Sequence, residues 1–256
     1  MSIIIKTKEE IEIIREGGRR LATVLQKVAE KVAPGISTLE LDKYAEKLIK
    51  DMGDYPAFLN YKPEGADSPY PASVCISIND EIVHGIPSGR VVKDGDLVGL
   101  DFGVLYDGMI TDSAVTVPVG KISKDAEKLL EYTERALESG IAVLKDGVKV
   151  GDIGAAIENT LIKGGLKVIE TLGGHGVGHK VHEEPYIANF GTAGTGETLR
   201  AGMTIALEPI ASLGTHDTDL ADDDWTYVTR DHSLSAQFEH TLLITKDGSE
   251  ILTKLR

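Results

Sequence analysis

The chain has 256 residues and a formal net charge of −14, because 41 acidic residues outnumber 27 lysines and arginines. This acidity argues against a nucleic-acid partner, since phosphate backbones are bound by clustered basic side chains. The single cysteine, Cys75, excludes an internal disulfide framework and indicates a reducing compartment. The N-terminus lacks the apolar run of a secretory signal, and no segment is apolar over a membrane-spanning length. We therefore expect a soluble, cytoplasmic protein without a membrane partner.

Apolar residues at helical spacing predict four helices, over about 8–32, 39–52, 124–144 and 152–163. Thr7 with Glu10, and Ser37 with Glu40, have the spacing of capping boxes at the first two helix starts. Residues 34–36 (PGI) match residues 146–148 (DGV), and Gly53 matches Gly165, at one constant offset. This indicates a two-fold repeat of helix, turn, helix and strands, with halves of about 1–120 and 121–256 in a single domain over 1–256.

Strand patterns occur at about 73–79, 97–105, 109–119, 202–209, 225–229 and 237–245, and Asp107-Gly108 indicates a hairpin turn. Asp101 and Asp112 interrupt apolar sequence on the two strands of that hairpin. A buried, unpaired carboxylate is costly, so each needs a cation or hydrogen bonds. Glu208 and Glu239 repeat this pattern in later strands.

Residues 173–185, GGHGVGHKVHEEP, contain three histidines, His175, His179 and His182, among four glycines. The glycines predict a tightly turning loop rather than a regular helix or strand. Such a loop is typical of a metal site, although a solvent-exposed polar loop remains an alternative at this point.

The ionisable residues in apolar surroundings form one set: Asp101, Asp112, His175, Glu208 and Glu239. Four carboxylates carry a charge near −4, which two divalent cations would balance. Oxygen-rich ligation with one imidazole favours Mn, Fe, Co or Zn. Two ions bridged by carboxylates can share a water and lower its pKa for hydrolysis.

Four aromatic residues lie in the turn-rich segment 54–71: Tyr55, Phe58, Tyr61 and Tyr70. They predict either the wall of a pocket or a small apolar cluster that pins a long loop, and the sequence leaves both open.

The same residues resemble the type I methionine aminopeptidases of the pita-bread, creatinase-like fold. The resemblance covers nearly the whole chain and is carried by SVCISINDEIVHGIP (73–87), DFGVLYDGMITDSA (101–114), GGHGVGHKVHEEP (173–185), GMTIALEP (202–209) and QFEHTLLIT (237–245). It implies an α+β fold, in which helices cover a pseudo-two-fold antiparallel sheet. It also implies removal of the N-terminal methionine from nascent polypeptides whose second residue is small; whether this happens at the ribosome is left open.

The resemblance also implies roles for single residues. By this resemblance, Asp101 would chelate one ion, Asp112 and Glu239 would bridge two, and His175 and Glu208 would complete the other. Glu208 would also be the general base. His84 and His182 would be outer-sphere groups, near the scissile amide nitrogen and the carbonyl oxygen respectively.

By the same resemblance, the methionine pocket would be walled by Phe58, Tyr61, Tyr70, Cys75, His84 and Trp225, with Val181 beside His182. Phe58 replaces the cysteine of many bacterial members, and Val181 replaces a common phenylalanine. Segment 54–71 is a few residues longer than is typical. His179 and His240 have no role in the family pattern, and we expect both to be structural or solvated.

Two alternatives accompany this interpretation. An X-Pro peptidase on the same fold would have the same ligands, but the pocket aromatics and the lack of an N-terminal domain count against it. A metal-free binding module would have lost ligands, whereas this sequence keeps all five. A monomer is the default expectation.

Overall fold

The computed structural model describes residues 3–63 and 65–255, so Met1, Ser2, Glu64 and Arg256 lie outside the described part of the chain. The predictions for the N-terminus, for segment 54–71 and for one domain over 1–256 each include some of these four residues. The described helices are α1 (Lys8–Ala29), α2 (Thr38–Asp51), α3 (Lys124–Ala142) and α4 (Val150–Lys163). The described strands are β1 (Tyr55–Pro56), β2 (Cys75–Ile78), β3 (Glu81–Val83), β4 (Leu97–Tyr106), β5 (Met109–Pro118), β6 (Lys167–Val168), β7 (Gly173–Gly176), β8 (Glu183–Ala188), β9 (Thr204–Leu207), β10 (Ile210–Ser212), β11 (Thr218–Leu220), β12 (Tyr227–Thr229), β13 (Ser235–Gln237), β14 (His240–Ile244) and β15 (Ser249–Ile251).

The first two helices start where their capping residues predict. Thr7 and Ser37 each accept a hydrogen bond from the backbone three residues on, and Glu10 and Glu40 bond back to the cap. These reciprocal bonds satisfy N–H groups that the helix itself leaves unpaired. Both predicted capping boxes are therefore confirmed.

Two predicted helix ends are wrong by two or three residues. α1 stops at Ala29 rather than near Val32, because the N–H groups of Lys31 and Val32 bond to carbonyls only three residues back. Pro34 follows closely and disfavours helical conformation in the residue before it. α3 ends two residues early through the same tight turns, and α4 begins two residues before its predicted start.

The order of two helices followed by strands occurs twice, as the repeat predicts. One large apolar cluster contains residues between 21 and 119, from α1, α2, β2 and β4. Another draws on α3, α4 and strands of the second half, mainly between residues 126 and 244, and also contains Leu97. Among the described residues, none of the helices is long and apolar enough to span a membrane.

Every strand pairing among the described residues is antiparallel, which confirms the α+β class. β1, β4 and β2 form one sheet with β5 paired to β4, and β15, β14, β9, β7 and β8 form another. The β4–β5 hairpin turns at Asp107 and Gly108, both with positive φ, as the sequence predicts.

Two strand predictions are corrected. Residues 237–245 do not form one strand, because β13 ends at Gln237 and β14 begins at His240; the chain passes there from one sheet to another. Residues 173–185 are not simply a loop, because both ends are strands, β7 and the start of β8. The other predicted strands are present but shortened at one or both ends, apart from 97–105, which extends by one residue.

Candidate metal centre

The β4–β5 hairpin directs two carboxylates to one face of its sheet. Asp101 lies opposite Ala114, and Asp112 lies opposite Gly103. Alternate residues of a strand share a face, and directly opposed residues share it too. Asp101 and Asp112 therefore project from the same side of the hairpin, as expected from the sequence.

Hydrogen bonds between the two halves bring Glu239 to Asp112. The N–H of Glu239 donates to the carbonyl of Ala114 at 2.9 Å, and the Ser113 hydroxyl donates to the carbonyl of Glu239 at 2.8 Å. The N–H of Asp112 donates to the Thr241 hydroxyl at 2.9 Å. The break between β13 and β14 thus places Glu239 directly beside the hairpin.

His175 and Glu208 reach the same point from the five-stranded sheet. His175 on β7 pairs with Ala206 on β9, and Glu208 follows β9 directly. One ligand atom from each of Asp112, His175 and Glu239 lies within 4.8 Å of the others. The His175 Nε2 atom is 3.5 Å from the Glu208 Oε1 atom. Four of the five residues of the predicted set therefore meet here, and Asp101 projects from the same side of the hairpin as Asp112 and lines the same cavity.

The glycines of β7 allow its neighbours to approach. A Cβ atom on Gly174 would lie 2.4 Å from the carbonyl oxygen of Ala206, and one on Gly176 would lie 2.4 Å from that of Glu184. A side chain at either position would force the neighbouring strand away. The glycines therefore serve strand packing here, which is why the loop prediction was wrong for this end of the segment.

The electrostatics of the cluster call for a cation. Burial, reinforced by the neighbouring negative charges, holds the pKa values of Asp112, Glu208 and Glu239 well above the usual range. Burial also raises the pKa of Asp101 to about 7. Buried oxygens of Asp101, Asp112 and Glu239 lack hydrogen-bond partners. Divalent ions would supply both the missing partners and the missing charge, so the residues fit a metal centre.

His175 has the form that a metal ligand requires. Burial lowers its pKa to about 3, so the ring is neutral. Its Nδ1 atom lies 2.9 Å from the carbonyl oxygen of Gly176, an acceptor, so Nδ1 carries the proton. The lone pair of Nε2 consequently faces the carboxylates.

His84 and His182 flank the cluster. His84 has φ 59, a backbone conformation uncommon outside glycine, and burial lowers its pKa to about 4. One side of the His182 ring is exposed to solvent. Burial of the rest of the ring lowers its pKa. Its Nδ1 atom is 2.8 Å from the Tyr61 hydroxyl, and its ring centroid is 4.4 Å from that of His175.

One cavity opens over the carboxylates. Every residue predicted from the sequence for the site lines it: Phe58, Tyr61, Tyr70, Cys75, His84, Asp101, Asp112, His175, Val181, His182, Glu208, Trp225 and Glu239. Pro63 completes the lining and is absent from the sequence-based set. The five ligand candidates, four carboxylates and one imidazole, therefore line the same cavity as the apolar side chains.

The aromatic segment satisfies both interpretations left open above. Phe58 and Tyr70 form, with Cys75 and Val181, a small cluster separate from the two large ones, and the same side chains line the cavity. Tyr55 is the exception, because its side chain is 67% exposed on β1. Burial raises the pKa of the Cys75 thiol, which makes it a poor nucleophile.

Sequence reasoning missed two polar residues that hold Glu208. The side-chain amide of Gln237 donates to Glu208 Oε2 at 3.0 Å, and the amide of Asn189 donates to the Glu208 carbonyl at 3.0 Å. Both are buried. Gln237 interrupts apolar strand sequence as Glu239 does, but its uncharged amide does not mark it as a site residue.

His179 and His240 lie outside the cavity lining, as expected. The Nε2 atom of His179 is 2.7 Å from a Glu10 carboxylate oxygen, and the Nδ1 atom of His240 is 2.9 Å from the Thr253 hydroxyl. Each ring therefore has a structural partner.

Buried oxygen and imidazole donors beneath an apolar cavity define a metal-dependent enzyme site. The sequence matches metallopeptidase family M24 over residues 12–246, and the chain belongs to that family. It is 50% identical to a methionine aminopeptidase of Aquifex aeolicus (strain VF5) over 258 residues, covering 100% of both chains.

Solved structures agree. The methionine aminopeptidase from Rickettsia prowazekii superposes with a TM-score of 0.95 at 39% identity, covering 99% of this chain and 100% of that one. The prolidase from Pyrococcus horikoshii OT3 gives a TM-score of 0.75 at 25% identity, covering 99% of this chain but 64% of that one. These comparisons confirm the pita-bread fold and the family expected from the sequence.

Proposed function

We propose that this protein is a metal-dependent aminopeptidase that removes an N-terminal methionine when the second residue is small. The observation that carries the proposal is the convergence of four carboxylates, those of Asp112 and Glu239 buried, and one neutral imidazole beneath an aromatic-lined cavity. The near full-length similarity to proteins described as methionine aminopeptidases supports the substrate.

Two divalent ions, Mn, Fe, Co or Zn, are the proposed cofactors. Asp101 would hold one ion, Asp112 and Glu239 would bridge the pair, and His175 with Glu208 would hold the other. When bound, the ions supply Lewis acidity and a water of lowered pKa. Two ions would also balance the four negative charges that the cluster carries when fully ionised.

Glu208 is the proposed general base. Gln237 donates to its Oε2 atom, while its Oε1 atom lies towards His175. This arrangement fixes the rotamer of the carboxylate and leaves one oxygen available to take a proton. Asn189 fixes the backbone of the same residue. Burial of the carboxylate favours its protonated form once the proton has been transferred.

His182 and His84 are proposed to bind the scissile amide from either side. A neutral His182 ring whose Nδ1 atom accepts from the Tyr61 hydroxyl would carry its proton on Nε2 and could donate it to the substrate carbonyl oxygen. Burial raises the pKa of Tyr61, so the hydroxyl keeps its proton. His84, which is also neutral, would form a hydrogen bond at the nitrogen of the scissile amide.

The methionine side chain is proposed to lie among the cavity aromatics. An unbranched thioether packs well against aromatic rings, and Trp225 and Tyr70 meet edge to face at 5.2 Å between centroids. Phe58 and Val181 are both buried and line the cavity. Their sizes would set the depth of the slot.

We further propose that the protein acts as a monomer in the cytoplasm on nascent chains, at or near the ribosome. These points rest on the composition and on the substrate class.

The main rival is an X-Pro peptidase, since the prolidase from Pyrococcus horikoshii OT3 has a similar fold. Its metal ligands would be the same, so the substrate decides between the two. A metal-free binding module is disfavoured because such a module has no need to retain buried, unpaired carboxylates.

The deciding experiment is a peptide assay on chelator-treated protein, with and without added Mn or Co. The substrates are Met-Ala-Ser, Leu-Ala-Ser, Met-Lys-Ser and Ala-Pro-Ser. We expect metal-dependent release of methionine from Met-Ala-Ser alone. Cleavage of Ala-Pro-Ser instead would keep the metal centre but overturn the substrate. No cleavage with either metal would favour a binding module.

A further inference from the structure

The segment 177–182 joins β7 to β8 and carries two cavity residues, Val181 and His182. We call it the histidine turn. It lies between the two paired strands and outside their ladder, and the N–H of Val177 donates to the carbonyl of Thr204 at 3.1 Å. The carbonyl of Gly178 accepts from the N–H of Ile110 at 2.6 Å. The position of His182 therefore depends on other contacts of this turn.

The carboxylate of Glu183 organises the histidine turn from inside. Its Oε1 atom accepts hydrogen bonds from the backbone N–H groups of His179, at 2.6 Å, and of Lys180, at 3.1 Å. Its Oε2 atom is 2.5 Å from the Lys6 ammonium nitrogen. The side chains of Lys6 and Glu183 are 1% and 4% exposed. This ion pair is buried outside the cavity lining.

Segment 6–10, which precedes and begins α1, is held in place at Lys6. The N–H of Lys6 donates to the carbonyl of Gly202 at 2.9 Å. The Lys6 stem lies against Gly178, where an added Cβ would be 2.4 Å from Lys6 Cε. Four residues on, Glu10 lies 2.7 Å from His179 Nε2. Both ends of this segment thus contact the histidine turn.

We propose that Lys6 and Glu183 are positioning residues, which hold the histidine turn so that His182 and Val181 face the cavity. A buried ion pair is expensive to desolvate, and an apolar pair of similar volume often serves stability as well. What an apolar pair cannot provide is an acceptor for the two N–H groups of the turn. The inference rests on the proposed function, since it assigns His182 a role in turnover.

The test compares wild type with Lys6→Met, with the double variant Lys6→Met/Glu183→Met and with the control Lys47→Met. Lys47 forms an exposed ion pair with Asp51 on α2, so the control makes the same substitution at a remote site. Each manganese-loaded protein is assayed for kcat and KM on Met-Ala-Ser. Amide hydrogen exchange of residues 177–183, the manganese Kd and the Tm are measured alongside.

We expect the two Lys6 variants to lower kcat at least fivefold and to speed exchange of residues 177–183 at least tenfold. The manganese Kd should stay within threefold, because His175 lies on β7 and not in the turn. The double variant leaves no unpaired buried charge, so it should recover Tm without recovering kcat. Lys47→Met should match wild type in every measurement.

Three outcomes would overturn the inference. The first is a kcat within twofold of wild type in a folded Lys6 variant. The second is recovery of kcat together with Tm in the double variant, which would reduce the pair to a stabilising role. The third is unchanged exchange of residues 177–183. Failure of the proposed function is separate, because wild type itself would then not cleave Met-Ala-Ser, while the exchange data would still report on the turn.

Discussion

Asp112 illustrates how one residue is held by its backbone while one oxygen of its carboxylate lacks a hydrogen-bond partner. Its N–H donates to the Thr241 hydroxyl, and that hydroxyl donates to the Asp112 carbonyl at 2.7 Å. Its Oδ1 atom is buried without a hydrogen-bond partner. The backbone bonds would survive a change of side chain, so the carboxylate can be removed without displacing the strand.

We expect Asp112→Asn to lower kcat at least about 100-fold and to weaken metal binding. Mutation of residues that only hydrogen-bond to metal ligands already lowers metal affinity or activity about 10–100-fold. The metal-free variant should be at least as stable as metal-free wild type, because one buried charge is gone. Peptide turnover, calorimetric metal titration and thermal unfolding test this. Glu239→Gln should behave alike, and the exposed Asp51→Asn is the control. Turnover at the wild-type level in Asp112→Asn would contradict the bridging assignment.

His84 tests a different contribution, because it is proposed to bind substrate rather than metal. His84→Ala should lower kcat by about 10²-fold or more while the metal Kd stays within a few fold. KM should change less than kcat if the bond to the amide strengthens in the transition state. Steady-state kinetics and calorimetry measure the three constants, with the exposed His216→Ala as control. An unchanged kcat would remove the role proposed for His84.

The four carboxylate candidates could be found from sequence because a single charged residue stands out within an apolar strand, and His175 was indicated by the three histidines of a glycine-rich segment. Gln237 and Asn189 could not, since neutral amides are unremarkable in a strand or turn. Their importance depends on a neighbour, Glu208, that is distant in the chain. Pro63 has no chemical signal and was recognised only from the shape of the cavity.

At the scale of elements, β7 shows how glycine can mark a strand. Segment 173–176 has almost no side chains to form a strand pattern, so the sequence suggested a loop. The space for these residues is set by β8 and β9 on either side. Helix starts were predictable because Thr7 and Ser37 act within one turn of the chain. Helix ends and the break between β13 and β14 depend on contacts that local sequence does not contain.

The packing around Gly174 gives a prediction at this scale. Gly174→Ala would place a Cβ atom 2.4 Å from the carbonyl oxygen of Ala206. Because backbone must shift, we expect a loss of about 1–3 kcal/mol in the free energy of unfolding. Metal affinity should fall as well, since His175 is the next residue. Urea unfolding and metal titration test this. Gly89→Ala is the control, because no heavy atom lies within 4 Å of its added Cβ. Equal stability of the two variants would show that β7 has room to relax.

At the scale of the whole molecule, the centre lies where the two halves meet. Asp101 and Asp112 come from the first half, and His175, Glu208 and Glu239 come from the second. One apolar cluster lies in the first half and the other lies mainly in the second, while bonds between β5 and residues 237–241 join the halves at the ligand candidates. The halves were visible in sequence as a repeat. The surface where the halves meet was not visible, because it forms through hydrogen bonds between residues more than 100 positions apart in the chain.

This placement predicts that the stability of the whole chain depends on both pH and metal. Burial raises the folded pKa of Asp101 to about 7 and raises those of Asp112, Glu208 and Glu239 as well. Carboxylates of the unfolded chain titrate near pH 4. A raised folded pKa contributes stability below the unfolded value, and that stability is lost as pH rises through the folded value. Metal-free protein should therefore lose stability between about pH 4 and pH 7.

Metal ions should reverse this loss, because they bind the ionised carboxylates of the folded chain. At 100 times its Kd, a ligand adds about 2.7 kcal/mol, which corresponds to about 5 °C in Tm for a chain of this size. We expect the Tm difference between manganese-loaded and metal-free protein to be near zero at pH 4 and to grow to about this value by pH 7.5. Calorimetric scans at a series of pH values measure it. Asp112→Asn, with one fewer buried charge, should show a smaller difference. A Tm difference independent of pH would mean that the buried carboxylates are not the groups that metal binding ionises.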